Sequence, residues 1–206
     1  MRGLFITFEG VEGAGKTTQI QLLRQTLEST GRRVLATRCP GGDAVAEEIR
    51  DVLLKADSPV EPHAELLLFL AARSQVTARV IRPQLEDGVI VLMDRYIDST
   101  TVYQGHARGI DLKAVRQMNL FATGGLQPDL TMVLDLDPER GLARQMDRNR
   151  MEAESLEFHR MVRAGYLAEA AEYPDRIRIL DGSQTAEALQ KEIFAMLEPL
   201  LSAFSL

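Results

Sequence analysis

The chain has 206 residues, 45% of them hydrophobic and 26% charged, which excludes a disordered or collagen-like polypeptide and points to a single domain over 1–206. A net charge of −6 argues against a general nucleic-acid binder, which needs a basic face, but not against a small phosphate ligand held by a few local arginines. No apolar run approaches the ~20 residues that span a bilayer, no secretory leader precedes the first glycine-rich loop, and one cysteine, Cys39, permits no internal disulfide. The expectation is a cytoplasmic protein with no nucleic-acid or membrane partner.

Strand-like and helix-like runs alternate along the chain. Leu4–Phe8 reads as a short, almost wholly apolar strand, followed by a glycine loop and a helix over Thr17–Ser29 with Ile20, Leu23 and Leu27 on one face. A weaker strand, Val34–Thr37, precedes a helix at Ala44–Leu54. One long helix is expected over Pro62–Glu86, since proline suits a first helical turn and Gly88 a helix exit. The clearest strand, Val89–Met93, comes next, then a helix at Asp111–Ala122 and a strand at Leu130–Leu136. Helices at Pro138–Arg148 and Glu154–Glu172, a strand at Arg176–Leu180 and a helix at Thr185–Leu200 complete the chain, with Ile193, Leu197 and Leu200 a core stripe. Strands apolar throughout are expected to be covered on both faces, as in a parallel sheet. The alternation implies an α/β fold with five parallel strands and helices on both faces. Ligands in such sheets bind beyond the carboxyl ends of the strands.

The residues that directly follow the first strand bear this out as chemistry. Gly10-Val11-Glu12-Gly13-Ala14-Gly15-Lys16-Thr17 matches the phosphate-loop pattern G-x-x-x-x-G-K-[ST] without a gap, between a predicted strand and a predicted helix. Glycines let successive backbone N–H groups turn toward phosphate oxygens, and the helix N-terminus, reached through Thr18, adds partial positive charge. Lys16 would reach the β- and γ-phosphates, and the Thr17 hydroxyl would join Mg²⁺. The loop specifies a nucleoside triphosphate site of the P-loop NTPase kind, not which reaction it serves.

Further candidates follow other strands. Asp94 and Arg95 end the clearest strand, where an acid can help hold hydrated Mg²⁺ and an arginine can enter the cleft; a surface ion pair would read the same way. Arg38-Cys39-Pro40-Gly41-Gly42 follows the second strand in a rigid turn that places Arg38 over the same edge. Phe69 and Arg73 share a helix face at i, i+4 and can form a base-binding wall, or be a core residue and a snorkelling neighbour. Arg144, Arg148 and Arg150 lie between two helices, as a lid closing over phosphates or as a solvated face. An arginine placed on a transferring phosphoryl group is worth about 10³–10⁵ in rate. His63, His106 and His159 have no ligand spacing, so no structural metal is expected.

Together these residues resemble the thymidylate kinase family over nearly the whole chain. The likeness rests on Phe8 to Gln19, Arg38 to Gly42, Leu67 to Gln75, Pro128 to Thr131 and Leu134-Asp135. It rests above all on Asp94-Arg95-Tyr96-Ile97-Asp98-Ser99-Thr100-Thr101-Val102-Tyr103-Gln104-Gly105. The resemblance implies a nucleoside monophosphate kinase-like fold with a short lid at about 142–153, a homodimer, and transfer of the γ-phosphoryl group of ATP to dTMP with Mg²⁺. Phe69 would stack on thymine, Arg73 would bond its carbonyl edge, and Thr100 and Gln104 would hold it. Tyr103 would crowd the sugar 2′ position. Glu12 would approach the acceptor, Arg38 and Arg95 would grip its phosphate, and Lys16, Arg95, Arg148 and Arg150 would be catalytic. Thr17 and Asp94 would hold the metal, partly through water.

The chain departs from the family pattern at Cys39, where glutamate is usual and would support Arg38. Ala72 and Val76 replace an aspartate and a histidine around Arg73, Val102 adds bulk before Tyr103, and Asn149 replaces an aspartate before Arg150. Three other readings stay open from the residues: a monophosphate kinase of different base preference, a nucleotide-dependent switch or binding module, and a degenerate paralogue, the last suggested by Cys39, Ala72 and Val76.

Overall fold

A computed structural model describes residues 2–54, 60–144 and 149–203. Arg148 and part of the expected lid therefore lie outside the described residues. Five parallel strands form one sheet in the order β2-β3-β1-β4-β5, with β1 Phe5–Glu9, β2 Val34–Arg38, β3 Ile90–Asp94, β4 Leu130–Asp135 and β5 Ile177–Asp181. The helices are α1 Lys16–Ser29, α2 Ala44–Leu54, α3 Pro62–Val76, α4 Arg82–Glu86, α5 Ile97–Thr100, α6 Leu112–Thr123, α7 Pro138–Leu142, α8 Leu156–Glu172 and α9 Ala186–Ala203. None of these helices is long and apolar enough to cross a membrane among the described residues.

Alternation along β1 divides the core. Leu4, Ile6 and Phe8 face a cluster with Leu23 and Leu27 of α1, Val162 of α8 and Ile193 and Leu197 of α9. Phe5 faces the other way, onto Val76, Ile81, Leu85 and Tyr96. Successive side chains on a strand point to opposite faces, so an apolar run fills both layers. Each fully buried side chain of this size contributes about 1.5–3 kcal/mol. The weak patterning of Val34–Thr37 has its reason here: β2 is an edge strand and only half-buried.

The long helix expected over Pro62–Glu86 is continuous but not uniform. A π turn over Thr77–Ile81 joins α3 to α4. Pro83 follows that turn; it lacks an N–H and its ring crowds the carbonyl one turn back, which a widened turn relieves. Residues 97–107 carried no helical expectation. They form α5 and a π turn over Thr101–Ala107. Ile97-Asp98-Ser99-Thr100-Thr101-Val102 is a poor helix former by propensity, and packing overrides it. Val102 and Tyr103 are buried in the first core cluster with Phe158 and Tyr166 of α8. Asp98 anchors the same segment to the residue that precedes β5, accepting two bonds of 2.7 Å from Arg176. It also accepts from Thr131 Oγ1, which pairs with Thr7 Oγ1 across β1 and β4.

Candidate active site

The carboxyl ends of β1 and β3, the centre of the sheet, carry the site. Beyond β1, Gly10, Gly13 and Gly15 adopt φ of 131°, 68° and 95°. At Gly10 a Cβ would stand 2.5 Å from the Leu134 carbonyl oxygen, and at Gly13 2.2 Å from that of Gly141. Neither position admits a side chain, so the backbone of the loop stays bare toward the cleft. Lys16 folds back over the loop, its Nζ donating to Gly10 O at 3.2 Å and Val11 O at 2.9 Å. Burial lowers the Lys16 pKa, the nearby Arg95 adds to that, and Glu12 and Asp94 oppose it.

Thr17 Oγ1 donates to Asp94 Oδ2 at 3.4 Å. The other Asp94 oxygen, Oδ1, is buried with no partner among the described residues. A buried carboxylate oxygen without a donor is costly. A hydroxyl and a carboxylate with spare acceptor capacity, beside a phosphate loop, are the hard oxygen ligands Mg²⁺ requires. The residues present fit that ion.

Arg95 follows Asp94 and is the non-glycine residue with positive φ, 66°, among the described residues. Such a conformation costs about 1–3 kcal/mol and persists where surroundings over-determine it. Its N–H donates to Phe8 O at 3.0 Å. Its guanidinium donates to Glu12 Oε1 at 2.5 Å, Tyr166 OH at 3.2 Å and Ser99 Oγ at 3.3 Å, and lies 5.1 Å over the Tyr103 ring. Burial disfavours the Arg95 charge, but Glu12, Tyr103, Tyr166 and Asp94 together outweigh burial and the pKa is raised. Burial likewise works against the Glu12 carboxylate, yet Arg95 and Lys16 hold its pKa below the ordinary value.

Behind Arg95 sits Glu9, fully buried. It accepts from Tyr96 N at 2.7 Å, Ser99 N at 3.3 Å, Ser99 Oγ at 2.5 Å and Tyr166 OH at 2.9 Å. It thereby caps α5 and, through Ser99 and Tyr166, braces the guanidinium. Burial and then Asp98 push its pKa up. Glu9 and Tyr166 were not singled out as functional in the sequence; an acid closing an apolar strand was the available signal for Glu9, and nothing local marked Tyr166.

A cavity of about 390 Å³ opens beside these groups, lined among others by Lys16, Thr17, Thr18, Arg38, Arg50, Phe69, Arg73, Arg95, Thr100, Tyr103 and Gln104. Phe69 and Arg73 of α3 therefore share a wall. Arg73 is 1% exposed and donates from NH1 to Thr100 Oγ1 at 2.5 Å and Asn119 Oδ1 at 2.9 Å. Gln104 donates to Glu65 at 2.9 Å, and Tyr103 OH to Glu12 Oε1 at 3.2 Å. Burial raises the Tyr103 pKa, so it stays a neutral donor. Asn119, Glu65 and Arg50 had no sequence signal of their own. Arg50 donates to Pro40 O at 2.9 Å and adds a third guanidinium near Arg38 and Arg95.

The departures at Cys39, Val76 and Val102 find physical answers. Glu47 of α2 accepts from Arg38 at 3.0 and 3.1 Å and from Gly42 N at 2.9 Å, so Arg38 keeps a carboxylate although Cys39 is not one. Val76 packs in the second core cluster. Val102 does not crowd the cavity. It is fully buried, facing α8 at Gly165, where an added Cβ would stand 3.1 Å from Val102 Cγ1.

Arg150, expected in the lid, is not brought to the cavity. Its guanidinium stands 2.7 Å from Glu65 Oε2 and its Nε donates to Leu53 O at 2.8 Å. The physical reason is Glu65, a buried carboxylate that recruits cations. Arg144, in contrast, donates to Gly13 O at 2.8 Å, beside the phosphate loop.

Comparison with known proteins adds to this geometry. The family model described as thymidylate kinase matches residues 8–193. A thymidylate kinase of Nitratidesulfovibrio vulgaris strain Miyazaki F is 46% identical over 97% of this chain and 98% of its own length. One from Gloeobacter violaceus is 48% identical over 97% and 96%. The crystal structure of thymidylate kinase from Ehrlichia chaffeensis superposes with a TM-score of 0.81 at 32% identity, covering 96% of this chain and 100% of that one.

Proposed function

The chain belongs to the thymidylate kinase family, and we propose that the cavity beside Arg95 is where it transfers the γ-phosphoryl group of ATP to dTMP. The observation that carries the placement is Arg95 itself, held in a left-handed conformation between the phosphate loop and the cavity.

An oxygen of the acceptor phosphate attacks the γ-phosphorus, the bond to the β,γ-bridging oxygen breaks, and ADP leaves. The attacking oxygen is already anionic, so no general base is needed; the work is alignment and charge neutralisation. The phosphate loop binds the donor through its backbone, and Lys16 shifts from the loop carbonyls to the phosphates. Arg95, with Arg38 and Arg50, holds the acceptor phosphate and faces the charge in transfer. Asp94 and Thr17 would hold Mg²⁺, which when bound offsets phosphate charge and orients the donor. Phe69 stacks on the base, Arg73 and Gln104 bond its edge, Thr100 supports Arg73, and Tyr103, pinned to Glu12, disfavours a 2′-hydroxyl. Arg144, already against the loop, takes the lid role expected of Arg150, while Arg148 retains its expected role.

A homodimer fits the surface. α2, α3 and α6 expose Val45, Val52, Leu67, Met118 and Phe121, the last 92% exposed. Phe121→Glu should yield monomers in sedimentation. The active-site assignment is tested by Arg95→Ala: acceptor-dependent ADP release should disappear while circular dichroism is unchanged, and near-normal release would overturn the assignment.

A further inference from the structure

Gln104 lines the cavity, but what decides which end of its amide faces the ligand lies on α3. Glu65 is fully buried. It accepts from Gln104 Nε2 at 2.9 Å and from Arg108 Nε and NH2 at 3.2 Å each, and stands 2.7 Å from the Arg150 guanidinium. Burial opposes its charge, but Arg108, Gln104 and Arg150 outweigh burial and keep the carboxyl below its ordinary pKa. Two guanidiniums on one carboxylate leave it ionised.

An ionised carboxylate can only accept hydrogen bonds. The Gln104 amide must therefore turn its NH₂ group to Glu65, which leaves Oε1, an acceptor, to the cavity. Arg73 lines the same cavity and, as a guanidinium, can only donate. The cavity thus offers one fixed acceptor and one fixed donor. Thymine and uracil present the complement, a donor at N3 and a carbonyl at C4. Cytosine presents an acceptor at N3 and an amino group at C4, wrong on both counts. Mismatches that leave buried polar groups unpaired discriminate far more strongly than a missing methyl group.

We propose that Glu65 is a specificity-determining positioning residue: by accepting the Gln104 N–H it holds Oε1 toward the acceptor base and selects pyrimidines with an N3–H over cytosine. This rests on the cavity being the acceptor site. Glu65 never touches the substrate; it acts through Gln104.

The test is the ratio of kcat/KM for dTMP to that for dCMP. Glu65→Gln keeps the shape but lets the 104 amide take either orientation. The ratio should fall at least tenfold, chiefly through KM for dTMP. Gln104→Leu should lower it similarly, and the double variant should fall no further, since the two act as one unit. Glu154→Gln, which removes a partner of Arg108 but leaves both guanidiniums on Glu65, should leave the ratio unchanged. A fallen ratio in Gln104→Leu with an unchanged ratio in folded Glu65→Gln overturns the role of Glu65 alone. An unchanged ratio in Gln104→Leu overturns the reading of Gln104 at the base. An equal loss in Glu154→Gln overturns the orientation argument. The wild-type protein offers a check that needs no folded Glu65 variant. Its Gln104 side-chain ¹⁵N amide resonance, assigned by its loss in Gln104→Leu, should be protected from solvent exchange; rapid exchange would overturn the proposal.

Discussion

The two walls of the cavity, proposed to hold the phosphoryl donor and the acceptor, are built by opposite means. The donor wall is one uninterrupted stretch, Gly10 to Thr18, whose working groups are backbone N–H groups and one lysine. The acceptor wall takes Arg38 from β2, Arg50 from α2, Phe69 and Arg73 from α3, and Thr100, Tyr103 and Gln104 from the 97–107 segment. Backbone conformation holds the donor wall, and two of its glycines admit no side chain. Buried polar partners hold most of the acceptor wall, Glu9 and Tyr166 behind Arg95, Asn119 behind Arg73 and Glu65 behind Gln104, while the exposed Glu47 supports Arg38. A wall of the first kind fails when its backbone or its lysine changes. A wall of the second kind can fail through residues that never meet the ligand.

The largest break in this comparison should come from the donor side. Lys16→Ala should cost about 10²–10³ in kcat, the scale of losing one preorganised donor at a developing charge. The dTMP KM should move little, since the acceptor wall is intact; steady-state kinetics in both substrates separates the two. Asn119→Leu should do the reverse, raising the dTMP KM several-fold with less change in kcat. It leaves buried Arg73 short of an acceptor, so denaturant unfolding should also show a loss of about 1–3 kcal/mol.

Acid should act on the acceptor wall through its carboxylates. Glu65 and Glu12 both have folded-state pKa values below the ordinary 4.5. Their stabilisation is present above that unfolded value and is lost as pH falls through the lower folded value. Urea midpoints measured downward from pH 6 should fall below pH 4.5, and less steeply in Glu65→Gln. The smallest effect belongs to the exposed pair. Glu47→Ala should change stability by about 0–1 kcal/mol, as exposed ion pairs do. It should still raise the acceptor KM, because Arg38 loses its support.

The same contrast explains what could be read in advance. Apolar runs announced β1, β3 and β4 and, more weakly, the two edge strands, and the phosphate loop is a linear pattern, so that wall was legible residue by residue. Residues 97–107 were not legible as helix, because a β-branched run has low propensity and only packing on α8 makes it helical. Phe69 and Arg73 were ambiguous because i, i+4 spacing describes a core face equally well. A sequence shows Arg150 among the lid arginines but not the buried Glu65 with which it pairs. Glu65, Asn119 and Arg50 act through partners distant in the chain, which no local pattern encodes.

Whether a donor wall and an acceptor wall of fixed polarity meet at Arg95 is tested most directly by ADP release from ATP and Mg²⁺ with dTMP, dUMP, dCMP, dGMP, UMP or no acceptor. Turnover should be strong with dTMP, much less with UMP because of Tyr103, and least with dCMP and dGMP. ADP release that is the same with and without acceptor, or faster with dCMP than with dTMP, would contradict it.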